Sequence, residues 1–182
     1  MSFLARNYPT KQNFIFENPT RPLIAIAQPH FSNHLANRRA VGKALTMAGY
    51  SGTPLPQKLG IKPGAAVVAI NEPPNYRKLL GKLDQITFSN RIKANSDFVH
   101  LFTKRRSELE SKLSILRRKI SDNGTIWISW PKKSAKVPTD ITEDVVREVA
   151  LPLGLVDIKV CAVDETWSGL KLMIRRENRK SK

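Results

Sequence analysis

The sequence predicts a three-layer α/β fold, with a mostly parallel sheet that ends in an antiparallel hairpin. Three observations point there. Strand-like and helix-like segments alternate over residues 65–175, which implies parallel pairing with helices on both faces. Thr125-Ile126-Trp127-Ile128-Ser129-Trp130 is a β-branched and aromatic run, as in a buried central strand. Pro131 ends it, because proline cannot donate to a sheet ladder. Residues 156–163 and 167–175 have strand patterns separated only by Asp164-Glu165-Thr166, which is hairpin spacing.

In chain order, residues 55–59 suit one helical turn closed by Gly60, and Ile61-Lys62-Pro63-Gly64 is a turn. Residues 65–70 form a short apolar run between turn signals, the pattern of a buried strand. Asn71-Glu72-Pro73-Pro74 stops it. A short helix over 76–83 would turn Leu79, Leu80 and Leu83 inward. Residues 85–89 read as a weak strand and residues 97–103 as a stronger one. Leu109, Leu113, Leu116 and Ile120 recur on one face of a helix, with Glu108 and Lys112 paired on the outer side. Asp122-Asn123-Gly124 should stop this helix, with Gly124 as a left-handed cap. After the central strand, Asp140-x-x-Glu143 reads as a capping box for a helix that buries Val145, Val146 and Val149. The basic end, 177–182, should fray.

The layout is that of a compact Rossmann-like domain of the class I methyltransferase type, an analogy of architecture that does not carry function. The domain is expected over residues 47–176. Residues 1–46 hold six Lys or Arg against the single acid Glu17 and are broken by prolines. They read as a poorly ordered basic extension, with a short helix at 37–46, and translation starting at Met47 is the favoured explanation. A transit peptide is the competing one, weakened by few serines and no amphipathic face.

The 182 residues carry a formal charge of +16, with 41% hydrophobic and 25% charged residues. That balance suits a globule and asks for an anionic partner: a small molecule, an acidic macromolecule or nucleic acid. No apolar run approaches the roughly 18 residues of a membrane helix. Cys161 is the only cysteine, so no intrachain disulfide forms, in keeping with a cytoplasmic location. His30 and His34 have helical spacing but no third ligand nearby, so no metal is expected.

Glycine-rich phosphate loops are absent. Asn71-Glu72-Pro73-Pro74 stands where a dinucleotide or S-adenosylmethionine site normally needs glycines, and prolines remove N–H donors. No nucleotide cofactor bound in the usual way is expected. In an open α/β sheet, ligands collect beyond the carboxyl ends of the strands. Three strand ends would meet there: one leading into Lys104, Arg105 and Arg106, one carrying Ser129 and Trp130 into Lys132 and Lys133, and one leading into Asp164 and Trp167. These nine residues are the candidate ligand-binding or anion-binding set. Cations in the first turn of a helix are disfavoured by its dipole, which a bound anion at that edge would explain. Cys161 is a weak candidate nucleophile, since a lone cysteine in an apolar strand is usually packing and no histidine base lies beside it in sequence. Trp130 and Trp167 offer stacking surfaces.

Several segments together resemble a known family: Ala48-Gly-Tyr-Ser-Gly-Thr-Pro-Leu55, Leu59-Gly-Ile-Lys62, Ile128-Ser-Trp-Pro-Lys-Lys133, Thr142-Glu-Asp-Val-Val-Arg147, Gly154-Leu-Val-Asp-Ile-Lys-Val-Cys-Ala-Val-Asp164 and Trp167-Ser-Gly-Leu170. They resemble the bacterial domain-of-unknown-function family number three thousand and fifty-two, over residues 47–176. The resemblance implies a bacterial cytosolic protein and brings no activity or catalytic residues. The functional expectation is therefore a non-catalytic module that binds an anionic ligand or acidic partner. The alternatives are a nucleic-acid or ribosome-associated protein, and a transferase with an atypical cofactor site lined by Cys161, Asp164 and Ser129.

Overall fold

The computed structural model describes residues 52–180. The expected extension at 1–46, its short helix, the His30/His34 pair and the start of the Ala48 segment lie outside the described residues.

Six strands form one sheet: β1 (Ala66–Ile70), β2 (Thr87–Ser89), β3 (Ser96–Phe102), β4 (Ile120–Pro131), β5 (Leu155–Ala162) and β6 (Trp167–Ile174). Their order is β2-β1-β3-β4-β6-β5. The first four pair in parallel, and β6 runs antiparallel to both β4 and β5. This is the expected mixed α/β sheet with its terminal hairpin. The chain leaves β1 toward β2 on one side and β3 toward β4 on the other. The direction of winding therefore reverses between β1 and β3, and a crevice opens there beyond the strand ends.

Helices α1 (Leu55–Leu59), α2 (Tyr76–Leu80), α3 (Arg106–Lys119) and α4 (Glu143–Ala150) supply the outer layers. Alternation along the strands divides the core. Val99, Leu101, Ile126, Ile128 and Trp130 share one cluster with Leu109, Leu113 and Leu116 of α3 and Val146 of α4. Phe98, Phe102 and Trp127 share the other with Leu59 of α1 and Tyr76 of α2. The second half of β4 is buried from both sides, hence its run of Ile126, Trp127, Ile128 and Trp130, interrupted only by the buried Ser129.

Four local expectations need correction. Helix α3 ends at Lys119 and passes directly into β4 at Ile120, which registers with Ser96. Gly124 is therefore a strand residue rather than a left-handed cap. A Cβ there would come within 2.6 Å of Ile120 Cγ1, so the glycine permits close packing. The α4 N-cap is Thr142, whose hydroxyl accepts the Val145 N–H at 3.2 Å. Asp140 instead accepts the Arg106 N–H at 2.6 Å, capping α3 from a distant loop. Helix α2 stops at Leu80, ended by Gly81; Leu80 is buried and Leu83 packs on the same core as expected, but Leu79 is exposed and Tyr76 is the helix's most buried residue. Finally, the basic end is pinned rather than frayed, at least to Lys180, whose N–H donates to Asp122 at 2.7 Å.

Among the described residues no helix is long and apolar enough to cross a membrane, and no group of His, Cys, Asp or Glu is placed to hold a metal ion.

Candidate functional site

The crevice between β1 and β3 is bridged by side chains. Asn71 follows β1 with φ +56, a left-handed conformation that asparagine tolerates better than most residues. Its Nδ2 donates to the Phe102 carbonyl at 3.2 Å and to Glu108 Oε1 at 2.8 Å. Glu108 stands in the first turn of α3, where the helix dipole favours a carboxylate. Its other oxygen accepts the Thr103 hydroxyl at 2.7 Å, and Lys112 pairs with it at 2.8 Å, as the helical spacing predicts. Burial pushes the Glu108 carboxyl up, but donation from Lys112, Thr103 and Asn71 outweighs burial and holds it below its usual range. Glu108 is thus a fixed, ionised strut.

Around this strut lies a cleft of about 430 Å³. Pro73, Pro74, Phe102 and Trp167 form apolar walls, and Lys104 and Arg105 complete the lining. Phe102 and Trp167 meet edge to face at 5.2 Å between ring centres. The cleft is within the size range of small-molecule sites, with the expected mix of apolar walls and a few polar groups.

The nine candidate residues do not all meet here. Lys104, Arg105 and Trp167 line the cleft. Arg106 is engaged by Glu110 at 2.9 Å and Glu148 at 2.8 Å. With Asp140 on its backbone N–H and Glu108 in the same turn, the end of α3 already has two carboxylates. The dipole argument for a bound anion is answered by the protein itself. Trp130 packs in the α3/α4 core, on the other side of the sheet from Trp167. Lys132 donates from Nζ to the Asp164 carbonyl at 2.6 Å, and Lys133 is exposed in a 3-10 turn. The Asp164 carboxylate holds the hairpin turn, accepting the N–H groups of Thr166 and Trp167 at 2.8 and 2.7 Å. Arg105, Trp130 and Asp164 therefore share an edge but no pocket.

Ser129 is sealed inside the protein, where it ends a buried polar chain. Tyr76 Oη lies 2.7 Å from His100 Nδ1, and His100 Nε2 lies 2.7 Å from Ser129 Oγ. The three residues come from α2, β3 and β4. Gly169 registers opposite Ser129, and a Cβ there would stand 2.9 Å from Ser129 Oγ. Burial lowers the His100 pKa to about 3 and raises that of Tyr76. The imidazole is neutral at pH 7 and joins two hydroxyls as one donor and one acceptor. In the unfolded chain it would take a proton near pH 6.5. Stability contributed by this group is therefore complete above that pH and falls as pH drops from 6.5 toward about 3. The slope approaches about 1.4 kcal/mol per pH unit. Urea midpoints measured at pH 7 and at about pH 5, where most carboxylates stay charged, should show the loss. A His100→Gln protein should show little of it.

Cys161 packs against the core shared by Tyr76, Trp127 and Trp167. Burial raises its thiol pKa against the opposing effect of Lys159, Lys58 and Lys132, so the residue lacks the thiolate character of a nucleophile. The pocket of Cys161, Asp164 and Ser129 needed by the original transferase alternative does not form.

Asn71, Thr103, Glu108, Tyr76 and His100 were not singled out by sequence reasoning as site residues. One signal was available: His100 is the sole titratable side chain inside Phe98-Val99-His100-Leu101-Phe102.

No protein-family model matches the chain, and no curated protein does. The family resemblance drawn from the motifs thus gains no support there. Solved structures do match. A candidate type 11 methyltransferase from Sulfolobus solfataricus is 16% identical over 70% of this chain and 94% of its own, with a TM-score of 0.50. A SAM-dependent methyltransferase from Aquifex aeolicus is 16% identical over 65% of this chain and 87% of its own, with a TM-score of 0.48. The expectation of a non-catalytic binding module is corrected on this match: the Sulfolobus structure, whose fold the chain shares, is described as a methyltransferase. At this identity the likeness establishes the fold: a Rossmann-like sheet of the methyltransferase layout.

Proposed function

We propose that the chain is a transferase of the methyltransferase fold, with a donor cleft built from side chains in place of a glycine loop. The observation that carries this reading is the 430 Å³ cleft at the β1/β3 crevice, beside the Asn71–Glu108–Thr103 strut. The usual grip on S-adenosylmethionine does not fit these residues. Pro73 and Pro74 lack N–H donors, and Ser89-Asn90-Arg91 at the end of β2 offers no carboxylate for a ribose. Any donor would instead meet Asn71 and Thr103 on the polar side and Trp167 and the prolines on the apolar side. Group transfer of this kind depends mainly on alignment and exclusion of water, and a fixed strut between two strand ends supplies the first. Lys104 and Arg105 would hold an anionic group of donor or acceptor, with Lys132 and Lys133 farther along the same edge.

The direct test is calorimetric titration with S-adenosylhomocysteine. Binding is expected, and Asn71→Ala or Glu108→Gln should weaken it about tenfold or more, the equivalent of one charge-assisted hydrogen bond. No heat at millimolar ligand, or affinities untouched by both substitutions, would refute the reading. Circular dichroism of each variant separates lost binding from lost folding.

A further inference from the structure

A second site lies at the opposite edge of the sheet, at the amino ends of β3 and β4. A groove of about 780 Å³ is lined by Asn95, Arg117, Arg118, Ser121, Asp122 and Lys180. Arg117 and Arg118 come from the last turn of α3, and Lys180 from the C-terminal segment. Two chain segments distant in sequence therefore bring cations to one slot.

The second of these segments is held in place by its own set of contacts. Arg179 Nε donates to the Ile174 carbonyl and its Nη1 to Asn123 Oδ1, both at 3.1 Å. Asn178 Nδ2 donates to the Gly154 carbonyl at 3.3 Å. Gly154 has φ +72, and a Cβ there would stand 2.4 Å from Asn178 Nδ2, so the docking depends on this glycine. Asp122 is the one carboxylate in the lining, and its Oδ2 accepts the Lys180 N–H.

Cations at the end of α3 complement the helix dipole, which accounts for Arg117 and Arg118 by themselves. It does not account for a basic tail fastened beside them. Elsewhere several arginines are matched by acids: Arg147 pairs with Glu143, Asp144 and Asp157, and Arg106 with Glu110 and Glu148. With 31 Lys or Arg against 15 Asp or Glu, the chain has cations well in excess of the acids that could neutralise them.

We infer that this groove docks the phosphate backbone of single-stranded nucleic acid. Its concave shape suits a strand better than a flat membrane surface. The Asn95 amide in its lining suits phosphate and sugar oxygens, whereas the Ser121 hydroxyl is already donated to Asp97 Oδ1 at 2.6 Å, and an excess of charge extending beyond one patch suits a long polyanion. The inference does not depend on the donor cleft, which lies at the other end of the strands.

Fluorescence anisotropy with a short labelled oligouridylate tests it, with no methyl donor present. Arg118→Gln combined with Lys180→Gln should weaken binding about tenfold at low salt and reduce the slope of log K against log salt by about 1.4, two lost phosphate contacts at roughly 0.7 each. Lys62→Gln combined with Lys78→Gln changes net charge equally on exposed residues that do not line the groove, and should change affinity less than about twofold. Absence of oligouridylate binding at low salt would overturn the inference, as would equal losses in the two pairs. Equal binding of an oligoglutamate would overturn the assignment to nucleic acid. Since the probe is not a donor, either outcome leaves the S-adenosylhomocysteine titration to stand or fall separately.

Discussion

His100→Ala is expected to destabilise the domain by about 3–5 kcal/mol, enough to consume much of a typical domain's stability. Two costs combine. The imidazole is fully buried and stacks on Phe102 at 4.2 Å between ring centres, so its removal opens a cavity. The Tyr76 and Ser129 hydroxyls, each 2.7 Å from a ring nitrogen, would lose that partner inside the core. Tyr76→Phe keeps the packing and removes one hydroxyl, so about 1–2 kcal/mol is expected. Urea titrations of the three proteins would check the order. If His100→Ala cost no more than Tyr76→Phe, the chain would not be acting as a unit. A variant too unstable to purify leaves Tyr76→Phe and Ser129→Ala for a double-mutant cycle, in which hydroxyls coupled through His100 should be non-additive.

Trp127→Ala should cost a similar amount, about 3–5 kcal/mol. Trp127 is fully buried, and its Nε1 donates to the Leu59 carbonyl at 2.9 Å. That bond fastens α1 to the central strand across 68 positions of sequence. Trp127→Phe isolates the indole N–H and should cost about 1 kcal/mol from the lost hydrogen bond, apart from any packing change. Limited proteolysis gives an independent readout. In Trp127→Phe, cleavage near Gly60 should become faster while the rest of the sheet remains protected. Unchanged cleavage there would mean that α1 is held by packing alone.

These two residues show what the sequence could and could not reveal. Trp127 was legible as core because it lies in a β-branched run, and the register of β4 follows from the same alternation. The hairpin of β5 and β6 was legible because three turn residues leave few other connections. Alternation tells which side of a sheet a residue occupies, but it does not identify the polar partner waiting there. His100 finds Tyr76 at 24 positions away and Ser129 at 29. Asn71 and Glu108 meet across 37 positions, and Asp140 caps a helix 34 positions earlier. Each pairing is created by the crossovers, and local pattern carries no trace of it. The nine-residue site failed as a unit for a related reason. Residues near one sheet edge can project to opposite faces, as Trp130 and Trp167 do.

In the proposed function, the β1/β3 crevice receives the donor despite lacking glycines. A crystal structure of the protein with S-adenosylhomocysteine would test it most directly. Ligand density is expected against Asn71, Thr103 and Trp167, between the strand ends. Density at any other place, or an empty crevice at saturating ligand with the Asn71–Glu108 hydrogen bond intact, would contradict it.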